Sequence, residues 1–139
     1  MMFLLDTNVI SEIRKNKKAN VGVIQFFESA LKNQDKLYIS VISIGELQRG
    51  VELIRHRGDK QQAILLEKWL NVILNSYQSN ILDFDKNAAQ LWGKLRSLQH
   101  KHSLDKQIAA TAIIYELTVV TRNDKDFIKT GVTILNPFK

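Results

Sequence analysis

Cysteine is absent from this chain of 139 residues, and proline occurs only once. The lack of cysteine excludes a disulfide framework, a thiol nucleophile and a zinc–thiolate site, and it fits a reducing compartment. No apolar run approaches the ~18 residues that span a membrane, and the N-terminus lacks the basic and long apolar segments of a signal peptide. We therefore expect a soluble, cytoplasmic protein with no membrane partner.

Length and charge narrow the class of protein further. A chain of 139 residues with 45% hydrophobic content has the size and the apolar content of one domain, so we expect a single domain over residues 1–139. No repeat, low-complexity tract or linker interrupts it. The excess of 20 Lys+Arg over 14 Asp+Glu gives a net charge of +6, which favours a polyanionic partner such as nucleic acid.

Short apolar runs alternate with longer amphipathic segments along the chain. The short runs predict strands over residues 3–5, 37–41, 81–84, 119–120 and 132–135. The amphipathic segments predict a first helix that begins near residue 9. They predict five further helices over residues 21–31, 43–57, 60–74, 86–100 and 104–115. This alternation predicts an α/β fold with a mainly parallel central sheet of about five short strands, flanked by helices. The strand ends that lead into helices then meet at one edge of the sheet.

Acidic side chains follow the ends of the predicted strands or begin the helices after them. Asp105 also heads the apolar face of its helix, where a carboxylate is poorly hydrated. Two carboxylates about 4 Å apart repel by roughly 4 kcal/mol at an effective dielectric near 20. Several of them together therefore require a divalent cation or raised pKa values, and oxygen ligands suit Mg²⁺ or Mn²⁺. The acidic set is Asp6, Glu46, Asp105, Asp124 and Asp126.

Each of these acids also has a purely structural interpretation as a residue at a helix start. A carboxylate there accepts backbone N–H groups or interacts favourably with the helix dipole. The structural alternatives are Asp6 as an N-cap, Ser43 with Glu46 and Thr121 with Asp124 as capping boxes, and Asp105 as a first-turn acid after Ser103.

The three histidines offer no clear metal site. His100 and His102 lie in a polar segment between two predicted helices, and His56 lies in a basic loop. We interpret all three as surface residues, with metal binding as the alternative.

Four short motifs follow one another along the chain. They are Asp6-Thr7-Asn8, the segment of Glu46 that Gly50 closes, the run from Asp105 to Ala112, and Thr121-Arg122-Asn123 followed by Asp126-Phe127. In this order and spacing they resemble the motifs of PIN-domain ribonucleases, and most closely those of the VapC-type toxins of bacterial toxin–antitoxin pairs. The resemblance runs nearly end to end and implies a three-layer PIN-like fold. It implies that Asp6, Glu46, Asp105 and Asp126 are the catalytic, metal-binding acids, with Asn123 or Asp124 as substitutes for the fourth.

The same resemblance implies a Mg²⁺-dependent endoribonuclease that cuts structured RNA, a tRNA or a ribosomal RNA loop, and thereby inhibits translation. It also implies a VapB-type antitoxin that tethers the toxin to operator DNA, and a homodimer. Neighbouring polar side chains would support the ligands, and basic side chains would attract the RNA. The supporting set is Thr7, Asn8, Ser43, Asn123 and Asp124, and the basic set is Arg14, Lys15, Lys17, Lys18, Arg49, Lys106 and Arg122.

Two other functions are compatible with parts of this pattern. A phosphatase that forms an aspartyl-phosphate also carries an aspartate directly after its first strand, but a dehalogenase-like pattern needs a second aspartate where Asn8 stands. A catalytically silent PIN-like module would act only in antitoxin binding and operator regulation. The intact acidic set argues against that module.

Overall fold

In a computed structural model that describes residues 1–99 and 101–139, strands alternate with helices along the chain. The strands are β1 (Met2–Leu5), β2 (Lys36–Ser40), β3 (Ile81–Leu82), β4 (Thr118–Val120) and β5 (Ile134–Leu135). The helices are α1 (Thr7–Ile13), α2 (Val21–Lys32), α3 (Val41–His56), α4 (Lys60–Ser76), α5 (Lys86–Leu98), α6 (Ser103–Ile114) and α7 (Asp124–Phe127). Within the described ranges, no helix has the length and apolar character needed to cross a bilayer.

The strands form one parallel sheet in the order β3-β2-β1-β4-β5. β1 is the central strand, and its Leu4 lies between Tyr38 of β2 and Val119 of β4. A central parallel strand is covered by helices on both faces, which explains why β1 is a continuous apolar run rather than an alternating one.

Two hydrophobic cores lie on opposite faces of this sheet. Phe3 and Leu5 pack into the first core, which is formed with α1, α2, α3 and α4. Leu4 packs into the second core, which is formed with α6 and α7. Successive side chains of a strand point to opposite faces, so adjacent residues of β1 serve both cores. The result is a three-layer arrangement of helices, sheet and helices, which confirms the predicted α/β fold.

The apolar helix α6 is the most extensively buried helix of the second core. Its residues from Ile108 to Ala112 are all buried, and Ile108, Ala109 and Ala112 belong to the same core as Leu4. Asp105 precedes Ile108 and Ala109 by three and four residues, so it lies on the helix face that meets the sheet.

The start of α3 differs from the prediction. The N-cap is Ser40, whose hydroxyl accepts a hydrogen bond from the backbone N–H of Ile42 at 3.0 Å. Val41 therefore opens α3 instead of ending the second strand. The interpretation of Ser43 and Glu46 as a capping box is wrong, because both residues lie inside the helix.

Other boundaries differ in smaller ways. Ser103 is the first residue of α6 and follows the cap position, which His102 occupies. α7 was not predicted, and its cap position is Asn123, so Thr121 does not cap Asp124. The strands predicted over residues 81–84 and 132–135 contain two residues each. α5 ends at residue 98, and the predicted helix end at residue 100 lies outside the described residues.

The C-terminal segment, residues 136–139, packs against the start of α2. The side chain of Asn20, the N-cap of α2, accepts a hydrogen bond from the backbone N–H of Lys139 at 3.1 Å and donates one to its carbonyl at 2.9 Å. Gly22 leaves room for this segment, because a Cβ atom there would lie 2.0 Å from the carbonyl oxygen of Pro137. The segment therefore packs closely only because residue 22 has no side chain.

We expect Gly22→Ala to destabilise the protein by about 1–3 kcal/mol, since the added methyl group must displace the C-terminal segment. Urea unfolding curves measure the change in the free energy of unfolding. Gly93→Ala is the matched control, because nothing lies within 4 Å of its added Cβ and alanine is the better helix former. Equal stability of Gly22→Ala and Gly93→Ala would contradict the described packing of the segment.

Candidate active site

Asp6 lies at the end of β1, where the central strand leads into α1. Its side chain is buried, with 3% exposure. The backbone N–H of Thr7 donates to Oδ1 at 2.8 Å, and Thr121 Oγ1 and Asn8 Nδ2 donate to Oδ2 at 2.8 and 3.2 Å. Burial raises the pKa of Asp6, and these three hydrogen bonds offset the rise only in part. Asp6 is the N-cap of α1, so the structural interpretation is correct, although it does not account for the burial of the charge.

Glu46 approaches the same edge of the sheet from α3. Thr7 Oγ1 donates a hydrogen bond to Glu46 Oε1 at 2.8 Å. Thr7 therefore holds two acids at once, Asp6 through its backbone and Glu46 through its hydroxyl. Burial is the main cause of the raised pKa of Asp6, and the carboxylate of Glu46 raises it further.

Asp105 lies in the first turn of α6, on the other side of the sheet. Burial raises its pKa to about 7, with further contributions from the carboxylates of Asp6, Asp126 and Glu46 and an opposing one from Lys106. Acids that are far apart in the sequence thus act on one carboxyl group. The structure brings together the four predicted acids at the carboxyl ends of the strands.

A compact group of three side chains lies on the α6 side of this centre. The ligand atoms of His102, Asp105 and Asp126 are all within 4.8 Å of one another, and His102 Nε2 lies 3.3 Å from Asp126 Oδ1. His102 is exposed, as predicted, but no pattern in the sequence indicated that its ring lies beside two acids. His56 is exposed, and the interpretation of His100 falls outside the described residues.

The candidates for the fourth acid differ in their surroundings. Asp126 belongs to the compact group, and its charge raises the pKa of Asp105. Asp124 Oδ1 accepts a hydrogen bond from the backbone of Lys125 at 3.1 Å. Asn123 is exposed, and its backbone N–H donates to Thr121 Oγ1 at 3.0 Å. The geometry therefore favours Asp126 over the two substitutes.

Thr121 and Asn8 connect the ends of β4 and β1. Thr121 is fully buried, and its hydroxyl donates to Asp6 and accepts from Asn123. Asn8 Oδ1 accepts a hydrogen bond from the backbone N–H of Arg122 at 3.1 Å. The sequence predicted Thr121 as a helix cap and as part of a family motif, but not as a hydrogen-bond donor to Asp6. A signal for this contact was available in the sequence. Thr121 directly follows β4 and Asp6 directly follows β1, and paired parallel strands end at the same edge of the sheet.

Ser43, predicted as a supporting residue, has no visible partner for its hydroxyl. It is fully buried in α3, and its Oγ accepts or donates no hydrogen bond among the described residues. The position of Ser43 one turn before Glu46 places it near the site along the helix, but no contact assigns it a supporting role.

Two of the basic candidates stack on aromatic rings near the acids. Arg14 and Glu46 line a cleft of ≈ 200 Å³ whose floor is largely apolar. The guanidinium of Arg14 lies 5.8 Å from the ring centre of Trp69, and that of Arg122 lies 5.0 Å from the ring centre of Phe138. Stacking fixes these two cations beside the site while leaving their charge available.

Lys106 is the basic candidate whose position does not suit a surface contact with RNA. It is 2% exposed, and its ammonium donates to the backbone carbonyl of Lys101. We therefore remove it from the RNA-binding candidates. Lys15 is exposed but pairs with Glu12 at 2.9 Å. The remaining exposed candidates are Lys17, Lys18 and Arg49.

The donor set of this centre fits a divalent cation. Carboxylate oxygens dominate it. Burial, and then repulsion from the other carboxylates, raise the pKa of Asp105 in the protein without an ion. A cation among them would replace repulsion by attraction. Oxygen donors suit Mg²⁺ and Mn²⁺.

Comparison with known proteins agrees with this fold. The sequence matches the family model for the PIN domain over residues 3–132. It is 34% identical over 142 residues to toxin FitB of Neisseria gonorrhoeae, and 30% identical over 144 residues to VapC ribonuclease Y4jK of Sinorhizobium fredii, each time covering 99% of both chains. The structure is similar to that of FitAB bound to an IR36 DNA fragment, with a TM-score of 0.81, 32% identity, and coverage of 99% of this chain and 96% of that one. The chain therefore belongs to the PIN domain family, among its VapC-type toxin ribonucleases.

The raised pKa of Asp105 predicts how stability changes with pH in the absence of metal ions. The ordinary pKa is 3.8 and the folded-state pKa is about 7, so the unfolded chain releases this proton first as pH rises. The stability that the protonated group contributes below pH 3.8 is therefore lost progressively up to pH 7 and slightly above. Asp105→Asn carries no such proton, so its melting temperature in EDTA should fall less between pH 5 and pH 8. Identical pH profiles of the variant and the wild type would refute this.

The hydrogen bond from Thr121 to Asp6 predicts the effect of removing the hydroxyl. Thr121→Val keeps the shape but leaves the buried carboxylate of Asp6 with one donor fewer, so we expect a loss of about 1–3 kcal/mol at neutral pH. The pKa of Asp6 should also rise further. Chemical unfolding at pH 5 and pH 8 measures both effects, with Thr118→Val on β4 as control. A loss no larger than that of the control would argue against the contact.

Proposed function

We propose that this VapC-type protein is a Mg²⁺-dependent endoribonuclease, with Mn²⁺ as the alternative ion. The observation that supports this most directly is the convergence of Asp6, Glu46 and Asp126 on Asp105. Burial is the main cause of the raised pKa of Asp105, about 7, and these three carboxylates raise it further. The sheet topology brings the strand ends together, but it does not require an acid at each of them. A shared cation accounts for the clustering of negative charge.

In this proposal the ion is held by the carboxylates of Asp6, Asp105 and Asp126, and Glu46 binds a second ion or positions water. When bound, the divalent ion supplies Lewis-acid activation of water and neutralises charge at the phosphate. The chain's own contribution is orientation. Thr7 fixes the direction of Glu46 through its hydroxyl, and Thr121 and Asn8 fix Oδ2 of Asp6.

The proposed substrate is structured RNA, a tRNA or a ribosomal RNA loop. An acidic centre repels a polyanion, so the surrounding basic residues must supply the attraction. Arg14 lines the same cleft as Glu46, and the backbone N–H of Arg122 donates to Asn8, whose side chain also bonds Asp6. The exposed Arg49 follows Glu46 by three residues on α3. Cleavage of such RNA would inhibit translation, and it would take place in the cytoplasm, where these RNAs function.

The proposed partners are a VapB-type antitoxin and a second copy of the chain. FitAB has a structure bound to an IR36 DNA fragment, and in our proposal the complex of this chain reaches operator DNA through its antitoxin. Arg14, Trp69 and Glu46 line one cleft, so a segment bound there would contact Glu46 directly. α4 exposes the apolar side chains of Ile64, Leu65 and Val72, which suit a protein contact in a homodimer or a complex.

RNA cleavage by the purified chain tests this proposal. Total RNA should be cut in Mg²⁺ or Mn²⁺ and remain intact in EDTA. Asp6→Asn and Asp105→Asn should each lower the cleavage rate by at least about 100-fold, because each removes a charged ligand of the ion. Asp59→Asn is the control for the same chemical change, since Asp59 caps α4 by accepting from Gln62 and asparagine caps equally well.

The outcomes separate the alternatives. Unchanged cleavage by both Asp6→Asn and Asp105→Asn would overturn the assignment of the site. A wild-type protein that binds an antitoxin but never cuts RNA would favour the catalytically silent module. A covalent phosphate trapped on Asp6 would favour the aspartyl-phosphate phosphatase.

A further inference from the structure

His102 has the spacing of a metal ligand relative to two of the acids. Its ligand atom and those of Asp105 and Asp126 lie within 4.8 Å of one another, and the distance from its Nε2 to Asp126 Oδ1 is 3.3 Å. Around an ion bound at about 2.1 Å, neighbouring donor atoms are ~3 Å apart and opposite ones ~4.2 Å apart. The three side chains can therefore reach one ion with small adjustments.

The imidazole of His102 is not used by the helix that follows it. His102 occupies the N-cap position of α6, but its side chain makes no capping hydrogen bond. Its backbone is left-handed, with φ of 57°, a conformation in which histidine is enriched among non-glycine residues. The side chain is 45% exposed, so an ion from solvent can reach the ring.

Two other side chains fix the backbone on either side of His102. The ammonium of Lys106 donates to the carbonyl of Lys101, and Trp92 Nε1 donates to the carbonyl of Ser103 at 3.1 Å. The buried ammonium of Lys106 therefore stabilises the backbone of the segment that carries His102. A donor on a fixed backbone loses less conformational entropy when it binds an ion.

We infer that His102 is a nitrogen ligand of the metal centre, together with Asp105 and Asp126, and that it makes this centre favour Mn²⁺ over Mg²⁺. Mg²⁺ is bound through oxygen atoms, whereas imidazole nitrogen is a ligand for transition-metal ions. The inference rests on the proposed function, since it assumes the metal centre. It adds a fifth ligand and an ion preference that the four carboxylates do not provide.

Mn²⁺ binding to the metal-free full chain tests the inference without an activity assay. Electron spin echo envelope modulation of bound Mn²⁺ should show coupling to an imidazole nitrogen in the wild type and none in His102→Gln. Titration should show Mn²⁺ binding about 10-fold weaker in His102→Gln. Mg²⁺ binding, measured by competition with Mn²⁺, should change by less than about twofold, because Mg²⁺ makes little use of nitrogen.

His56→Gln is the matched control, because His56 is an exposed histidine at the end of α3. It should keep the nitrogen coupling and both affinities. His102→Asp replaces the nitrogen by oxygen, so it should bind both ions without the coupling and with the preference moved toward Mg²⁺. Melting curves in EDTA identify any variant that fails to fold, and the other variant then carries the test.

The results distinguish this inference from the proposed function. If His102→Gln and His102→Asp retain the nitrogen coupling and the wild-type ion preference, the inference is overturned. If Asp105→Asn at the same time abolishes Mn²⁺ binding, the metal centre itself stands. If the wild-type chain binds neither ion, both the inference and the metal-dependent function fall.

Discussion

Repulsion between carboxylates is the interaction on which this site depends. Asp6 is buried in the middle of the molecule, and its charge is kept there by the hydroxyl of Thr121, the amide of Asn8 and the backbone of Thr7. These donors hold one negative charge, but the other three acids add to it. The protein therefore maintains a region of unbalanced negative charge at the sheet edge, inside a chain whose net charge is positive. Such an arrangement attracts small cations to the centre and polyanions to its surroundings.

The sheet topology explains how acids so distant in sequence meet. β1 lies between β2 and β4, so Asp6 is central and the residues that follow its neighbours lie beside it. Glu46 comes from a helix of the first core, whereas Asp105 and Asp126 come from α6 and α7 of the second. Along most of its length the sheet lies between the two layers of helices. At its carboxyl edge, side chains from both layers can approach one another.

The fold, and the meeting of the acids at one edge of the sheet, could be predicted because both depend on patterns that survive in the sequence. Apolar runs without alternation predicted a covered parallel sheet, and an acid after a strand predicted the edge. Three features could not be predicted. Ser40 and Ser43 both match a helix cap, and only the length of β2 decides between them. Lys106 is a charged residue, for which exposure is the usual state. The approach of His102 to Asp126 depends on one left-handed residue, which leaves no mark in the residue pattern.

The alternation of side chains along β1 determines both which core each residue enters and which way Asp6 points. It directs Phe3 and Leu5 to one core and Leu4 to the other, and this alternation also fixes the direction of the carboxylate that comes next. Inserting or deleting one residue in β1 would exchange the two sets of apolar side chains and turn Asp6 away from its hydrogen-bond donors. Relatives of this chain should therefore vary here by substitution of one bulky apolar residue for another, and the number of residues between the start of the strand and the aspartate should stay constant.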